Sequence, residues 1–243
     1  MTRRIMIVAL ALVATGCAAV LGSNDVSGYP DVDLGADTVE IYKATPERDL
    51  HLHVFEPVAS ADGPAGAVLL FHGGGFANTR VEQFQAQAER LAEAGIVGII
   101  AEYRVTAEGA TRADAIADGV DAVAGLHRYP EQFGVDPDRL AIGGASAGGA
   151  LAVEASADTD AVVLFNPAVG ASSATFLAER PTIAFHSRED TIVPFSSAEQ
   201  FCDAGPDCTL VAFDEGDHGF FNNEPALTET TDAMIDFLQT HGW

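Results

Sequence analysis

Hydrophobic positions along this chain follow two spacings, and the points where one gives way to the other mark its elements. Alternation at 38–42 (Thr-Val-Glu-Ile-Tyr) and at 50–55 (Leu-His-Leu-His-Val-Phe) predicts two half-buried strands paired as an antiparallel hairpin. Short apolar runs at 67–71, 96–101, 139–143, 161–165 and 182–186, with a further strand at 209–213, predict strands buried inside a sheet. Helical spacing falls between them, at 81–94 and 112–127, and small helix-prone residues occupy 149–155. Strand alternating with helix in this rhythm predicts an α/β domain, a mainly parallel sheet with helices on both faces. A chain of 243 residues, 48% apolar and 20% charged, suits one such domain, here expected to run from 37 to 243.

The start of the chain is set apart from that pattern. Arg3-Arg4 precedes ten apolar residues, Ile5 to Ala14, and then Thr15-Gly16-Cys17. A basic start and an apolar run too short to span a bilayer predict an export signal over 1–16. Small residues directly before a cysteine resemble the bacterial lipobox, which implies a lipidated Cys17; Ala14 stands where that motif usually has leucine. Ordinary cleavage nearby and an uncleaved anchor are the alternatives. Residues 17–36, rich in Gly, Ser, Asn, Asp and Pro, read as a tether with a typical reach of about 25 Å. The expectation is an exported bacterial lipoprotein, held by its lipid anchor alone at the periplasmic face of a membrane or at the cell surface.

Charge and cysteines narrow the class further. The formal net charge is −24, and it becomes −26 once Arg3 and Arg4 are removed with the leader. So acidic a surface argues against nucleic acid and against electrostatic adhesion to anionic lipid. The acids are scattered, as at Asp114, Asp118 and Asp121, and read as a solvated surface. With Cys17 lipidated, Cys202 and Cys208 remain, bracketing the turn-rich Asp203-Ala204-Gly205-Pro206-Asp207. In an oxidising compartment they are expected to pair, closing a short loop worth about 2 kcal/mol; free thiols are the alternative. Neither C-x-x-C nor clustered Cys/His spacing suggests zinc, and His51 and His53, with no third ligand nearby, read as exposed strand histidines.

Gly144-Ala145-Ser146-Ala147-Gly148 carries the candidate chemistry. A serine between strand and helix, flanked by glycine two residues to each side, fits a turn sharp enough to lift the hydroxyl clear of the sheet. His72-Gly73-Gly74-Gly75-Phe76 follows a buried strand and offers backbone amides to a tetrahedral oxyanion. His72 reads as a hydrogen-bonder that holds this loop. A dinucleotide or phosphate loop is the rival, but both the glycine spacing and the Lys-Ser/Thr ending are missing. A serine hydroxyl needs a base, and the base an orienting acid. Asp190 (Glu189 second) follows a buried strand, and His218 follows the last strand beside Gly219.

Taken together, H-G-G-G-F at 72–76, Y-R at 103–104, G-V-D-P-D-R at 134–139, G-x-S-A-G-G at 144–149, E-D-x-x-V-P at 189–194 and H-G-F-F-N at 218–222 resemble the α/β-hydrolases of the hormone-sensitive-lipase-like and acetylxylan-esterase-like group. The resemblance covers about 38–243. It implies a serine carboxylesterase with Ser146 as nucleophile, His218 as general base and acid, and Asp190 orienting it. It also implies an oxyanion hole from Ala147, Gly74 and Gly75, which two of the three glycines donate being left open, and no metal or cofactor. Ala150 stands where relatives often have histidine, and His186-Ser187-Arg188 replaces the common H-G-T/S. Only sixteen residues, 166–181, lie where relatives carry a long insertion, so no substantial cap is expected. An open site suits a small or polymer-borne ester, with short acyl groups and acetylated sugars as candidate donors. The alternatives are a peptidase of the same fold and a non-catalytic surface-binding lipoprotein.

Overall fold

The structure, a computed structural model, describes residues 32–57 and 63–243. The expected leader, the Cys17 anchor and the tether up to residue 31 lie outside the described residues. Eight strands form one sheet: β1 (Thr38–Ala44), β2 (Asp49–Phe55), β3 (Ala65–Phe71), β4 (Val97–Ala101), β5 (Val135–Ala145), β6 (Ala161–Phe165), β7 (Thr182–Ser187) and β8 (Cys208–Phe213). Their spatial order is β1-β2-β4-β3-β5-β6-β7-β8. β1 and β2 form the expected antiparallel hairpin, β2 runs antiparallel to β4, and every other pairing is parallel.

The continuous apolar runs are explained by two cores, one on each side of the sheet. Ala67, Leu69 and Phe71 of β3 enter one, while Val68 and Leu70 enter the other. β6 splits likewise, Val162 and Leu164 against Val163 and Phe165. Side chains of a strand alternate, so a strand covered on both faces must be apolar at every position. Helices α2 (Arg112–Arg128), α4 (Ser146–Ala155) and α5 (Phe195–Ala204) send buried residues into the first core. α1 (Gln85–Glu93) and α6 (Ala226–Thr240) cover the second. A single turn, α3 (Pro130–Phe133), leads into β5. At the start of α2 the Thr111 hydroxyl accepts from the Asp114 amide at 3.2 Å, and the Asp114 carboxylate accepts from the Thr111 amide at 2.8 Å. That reciprocal pair satisfies two of the donors a helix start leaves open.

Four expectations are corrected. β5 begins at Val135, earlier than the apolar run: Val135 pairs with Ala65, and the register then skips to Ala67↔Leu140. Residues 195–204 and 226–240, for which the pattern named no element, are α5 and α6. Asp118 is fully buried, between the Arg104 guanidinium (2.8 Å) and the Lys43 ammonium (2.7 Å), where a solvated surface was expected. His53 is buried rather than exposed, at 7% of its free area, because Glu102 reaches back to accept it.

The segment 166–181 folds down instead of rising over the sheet. Val169, Ala174 and Leu177 are buried in the first core, and two turns of 3₁₀-helix (Ala171–Phe176) complete the segment. No cap stands over the strand ends among the described residues. Cys202 and Cys208 are disulfide-bonded, joining α5 to the start of β8. Among the described residues, no helix is long and apolar enough to cross a membrane.

Candidate active site

β5 runs through the middle of the sheet and breaks at Ser146, which opens α4 with φ of +50°. A left-handed conformation at a residue with a side chain costs about 1–3 kcal/mol and persists only where its surroundings enforce it. The flanking glycines supply the room. A Cβ at Gly144 would sit 2.5 Å from the Gly148 carbonyl, and one at Gly148 would collide with the carbonyl oxygens of Phe71 and His72. Strand β3 thus presses on the turn from one side and the start of α4 from the other.

The glycine loop after β3 is pinned from below. His72 is fully buried, its Nδ1 2.5 Å from the Gly73 oxygen, and its ring stacks on Tyr103 with centroids 4.4 Å apart. The Tyr103 hydroxyl donates to the His72 carbonyl at 2.8 Å, which ties the Y-R motif to the H-G-G-G loop. Burial drives the His72 pKa down to about 4, so at neutral pH the ring is an uncharged support. The Gly73 amide donates to Gln83 Oε1 at 2.6 Å, which occupies it. Among the described residues no acceptor meets the amides of Gly74 (φ +124°) or Gly75 (φ +65°). Gly73 packs on the serine itself: a Cβ there would lie 3.3 Å from Ser146 Cβ. The Ala147 amide is in the first turn of α4, where no intrahelical acceptor exists.

Asp190 and His218 come together directly. His218 Nδ1 lies 2.6 Å from Asp190 Oδ2, and the other carboxylate oxygen accepts from the amides of Ile192 (2.8 Å) and Val193 (3.0 Å). The Asp190 side chain is wholly buried, whereas that of His218 is one-quarter exposed. Glu189, the other candidate acid, is exposed and, among the described residues, accepts only from the Gly216 amide, at 3.4 Å. Among the described residues, no hydrogen bond joins Ser146 Oγ to His218. Nor do three or more His, Cys, Asp or Glu side chains there form a group able to hold a metal ion.

Residues 68–205, more than half the chain, match the family model of the alpha/beta hydrolase fold. The chain belongs to the α/β-hydrolase family. Esterase 2 of Thermogutta terrifontis, phosphoramylated by tabun, superposes with a TM-score of 0.81 at 27% identity, over 87% of this chain and 97% of its own. The same planctomycete's thermophilic esterase with butyrate bound superposes at 0.80, with 27% identity over 86% and 96%. An AB hydrolase superfamily protein of Schizosaccharomyces pombe is 32% identical over 101 residues, 41% of this chain. The match spans only 29% of that protein's length.

Two residues of this α/β hydrolase escaped the sequence reading. His186, at the end of β7, is fully buried; its Nε2 is 3.0 Å from the Val193 oxygen and 3.4 Å from Asp190 Oδ2. Burial lowers its pKa, so this ring too is held neutral. Its place in the altered H-S-R stretch was the available signal. Asn166 follows β6 with φ of +40° and is fully buried. Its Nδ2 donates to the His218 carbonyl at 2.9 Å and the Asp217 carbonyl at 3.3 Å, while its Oδ1 accepts from the Ser187 amide at 3.0 Å. Asn-Pro after a buried strand hints at a turn, but nothing in it foretells those partners.

Proposed function

We propose that this α/β hydrolase is a serine carboxylesterase that cleaves short-chain acyl esters through an acyl-enzyme. The observation that carries the reading is the buried Asp190 carboxylate, anchored by two amides and bonded to His218 Nδ1 at 2.6 Å. An Asp190 acceptor keeps the proton on Nδ1 and so leaves Nε2 as the basic nitrogen. In the proposed cycle Nε2 takes the Ser146 proton as Oγ attacks the ester carbonyl. The amides of Ala147, Gly74 and Gly75 receive the oxyanion, each worth about 3 kcal/mol in the transition state. His218 then returns the proton to the departing alcohol oxygen. Water repeats the attack on the acyl-enzyme, and the carboxylic acid and free Ser146 are regenerated. The hydroxyl–imidazole bond is one that tightens when substrate arrives.

The relative's chemistry agrees with this reading. The esterase of Thermogutta terrifontis is known phosphorylated by paraoxon and with propionate or butyrate bound. The short, down-folded 166–181 segment favours esters of small acyl groups, acetylated sugars among them. Wild-type protein should therefore hydrolyse acetyl and butyryl p-nitrophenyl esters faster than long-chain ones and take up a fluorophosphonate. Ser146→Ala should do neither; a labelled, active Ser146→Ala would sink the proposal. Export and anchoring belong to the same reading. Cys17→Ala should move the protein from the membrane to the soluble fraction, and unchanged fractionation would remove the lipid anchor from the proposal.

A further inference from the structure

We propose that Asn166 is a positioning residue that presets the His218–Asp190 pair, an inference resting on the esterase reading above. Three segments far apart in the chain meet at this one side chain. Its amide nitrogen donates to the carbonyls of Asp217 and His218, on the loop that carries the base. Its oxygen accepts from Ser187, which precedes Asp190 by three residues and whose carbonyl in turn accepts from the Asp190 amide at 3.3 Å. The main chain just beyond Asn166 meets the nucleophile turn: the Ala168 amide donates to the Ser146 carbonyl at 2.9 Å, and Pro167 lies where a Cβ on Gly149 would touch it.

The direction of each bond is fixed by chemistry. A backbone carbonyl can only accept and a backbone amide can only donate, so the Asn166 side chain has one orientation that satisfies all three. The site also selects the residue type. The backbone is left-handed here, a conformation that asparagine and aspartate tolerate better than other side chains. Complete burial means an unmade bond is not replaced by water, so the His218 loop would shift to find other donors. A second tie, from Ser187 Oγ to the Gly216 carbonyl at 2.5 Å, joins the same strand end to the same loop. It reaches only the loop's start. Among the described residues, Asn166 alone bonds the main chain of the base itself.

Asn166→Asp tests this with the least disturbance. It keeps the shape, the left-handed tolerance and the acceptor for Ser187, and it replaces the two-carbonyl donor with an oxygen. With p-nitrophenyl acetate, kcat per fluorophosphonate-titrated site should fall on the order of tenfold to a hundredfold, since a misplacement of about 1 Å costs that much. KM should stay within roughly twofold, because no substrate contact is removed. A purely structural role would lower the melting temperature and the number of titratable sites without moving kcat per site. A kcat per site within twofold of wild type, or a loss confined to KM, would overturn the inference. If the aspartate variant does not fold, Asn166→Gly, which keeps the backbone freedom and deletes all three bonds, is judged by the same criteria. Ser146→Ala in the same series separates the two claims. Activity in that variant defeats the esterase reading, whereas its silence beside a wild-type-like Asn166→Asp defeats only the role of Asn166.

Discussion

Asp190 and Glu102 each lie just past the end of a parallel strand, each buried, each within hydrogen-bond reach of two imidazoles. Asp190 faces His218 at 2.6 Å and His186 at 3.4 Å; Glu102 faces His53 at 3.0 Å and His51 at 3.2 Å. They differ in what else they meet. Glu102 is also paired with the Arg48 guanidinium, which reaches on to Glu108 at 2.6 Å. Among the described residues no lysine or arginine reaches Asp190; the nearby Arg188 is turned to Asp214 at 3.2 Å. A carboxylate that an arginine already neutralises holds two strands together and has little field to spare. One whose partners are imidazoles and amides keeps its charge for the imidazole. The histidines divide the same way. The hydrogen bond to Glu102 raises the pKa of His51, whereas burial lowers those of His186, next to Asp190, and of His72, beneath the glycine loop.

The comparison breaks most sharply on exchanging each carboxylate for its amide. Asp190→Asn should lower kcat by about 10³–10⁴-fold, because an amide in that place favours the wrong imidazole tautomer. Its melting temperature should move little, since the Ile192 and Val193 amides still find an oxygen. Glu102→Gln should do the reverse. It leaves Arg48 with Glu108 as its remaining carboxylate and removes the charge two imidazoles share, a loss of about 3 kcal/mol and roughly 6–12 °C in Tm, with kcat per folded molecule unchanged. Steady-state kinetics and thermal melts on both variants decide the matter. A Glu102→Gln enzyme slowed a hundredfold would show that the two carboxylates are not divided as argued.

How much of this could be read beforehand follows from the range of each signal. Buried strands announce themselves locally, because a strand covered on both faces has to be apolar at every residue; the runs at 67–71 and 161–165 were legible for that reason. The elbow was legible because Gly144 and Gly148 answer to collisions within a few residues and with one adjacent strand. α6 was not: its buried Thr230, Thr231, Met234 and Leu238 lie among acids and threonines, a stripe too polar to stand out. The pairing of His218 with Asp190 rather than Glu189 came from motif position, and the geometry agrees. His53, Asp118, His186 and Asn166 were misread or missed for a common reason. Each is a polar residue buried by a partner at least four positions away, and alternation along a strand says nothing of such partners.

The smallest expected effect is also the one that tests the charge states directly. Glu102 has its pKa drawn down to about 2, against an ordinary 4.5, by hydrogen bonds to His51 and His53 and by Arg48, which together outweigh its burial. Its stabilisation is present above pH 4.5 and is lost as pH falls through about 2. His51 is shifted upward, so its contribution is complete below its ordinary 6.5 and fades as pH rises through the elevated value. The pair is therefore strongest between about pH 4.5 and 6.5. His72 works in the opposite sense: the unfolded chain takes up a proton near 6.5 that the folded ring accepts only near 4, so acid in that interval weakens the fold. Because these opposing trends overlap in wild type alone, the informative quantity is the difference in Tm between wild type and His51→Gln. That difference should be greatest at pH 5–6 and shrink by pH 9. A difference that stays constant from pH 5 to 9 would mean that His51 is bound to Glu102 as a neutral ring. Glu102 would then be balanced by Arg48 alone, and the contrast between the two histidine pairs would reduce to the presence of that one arginine.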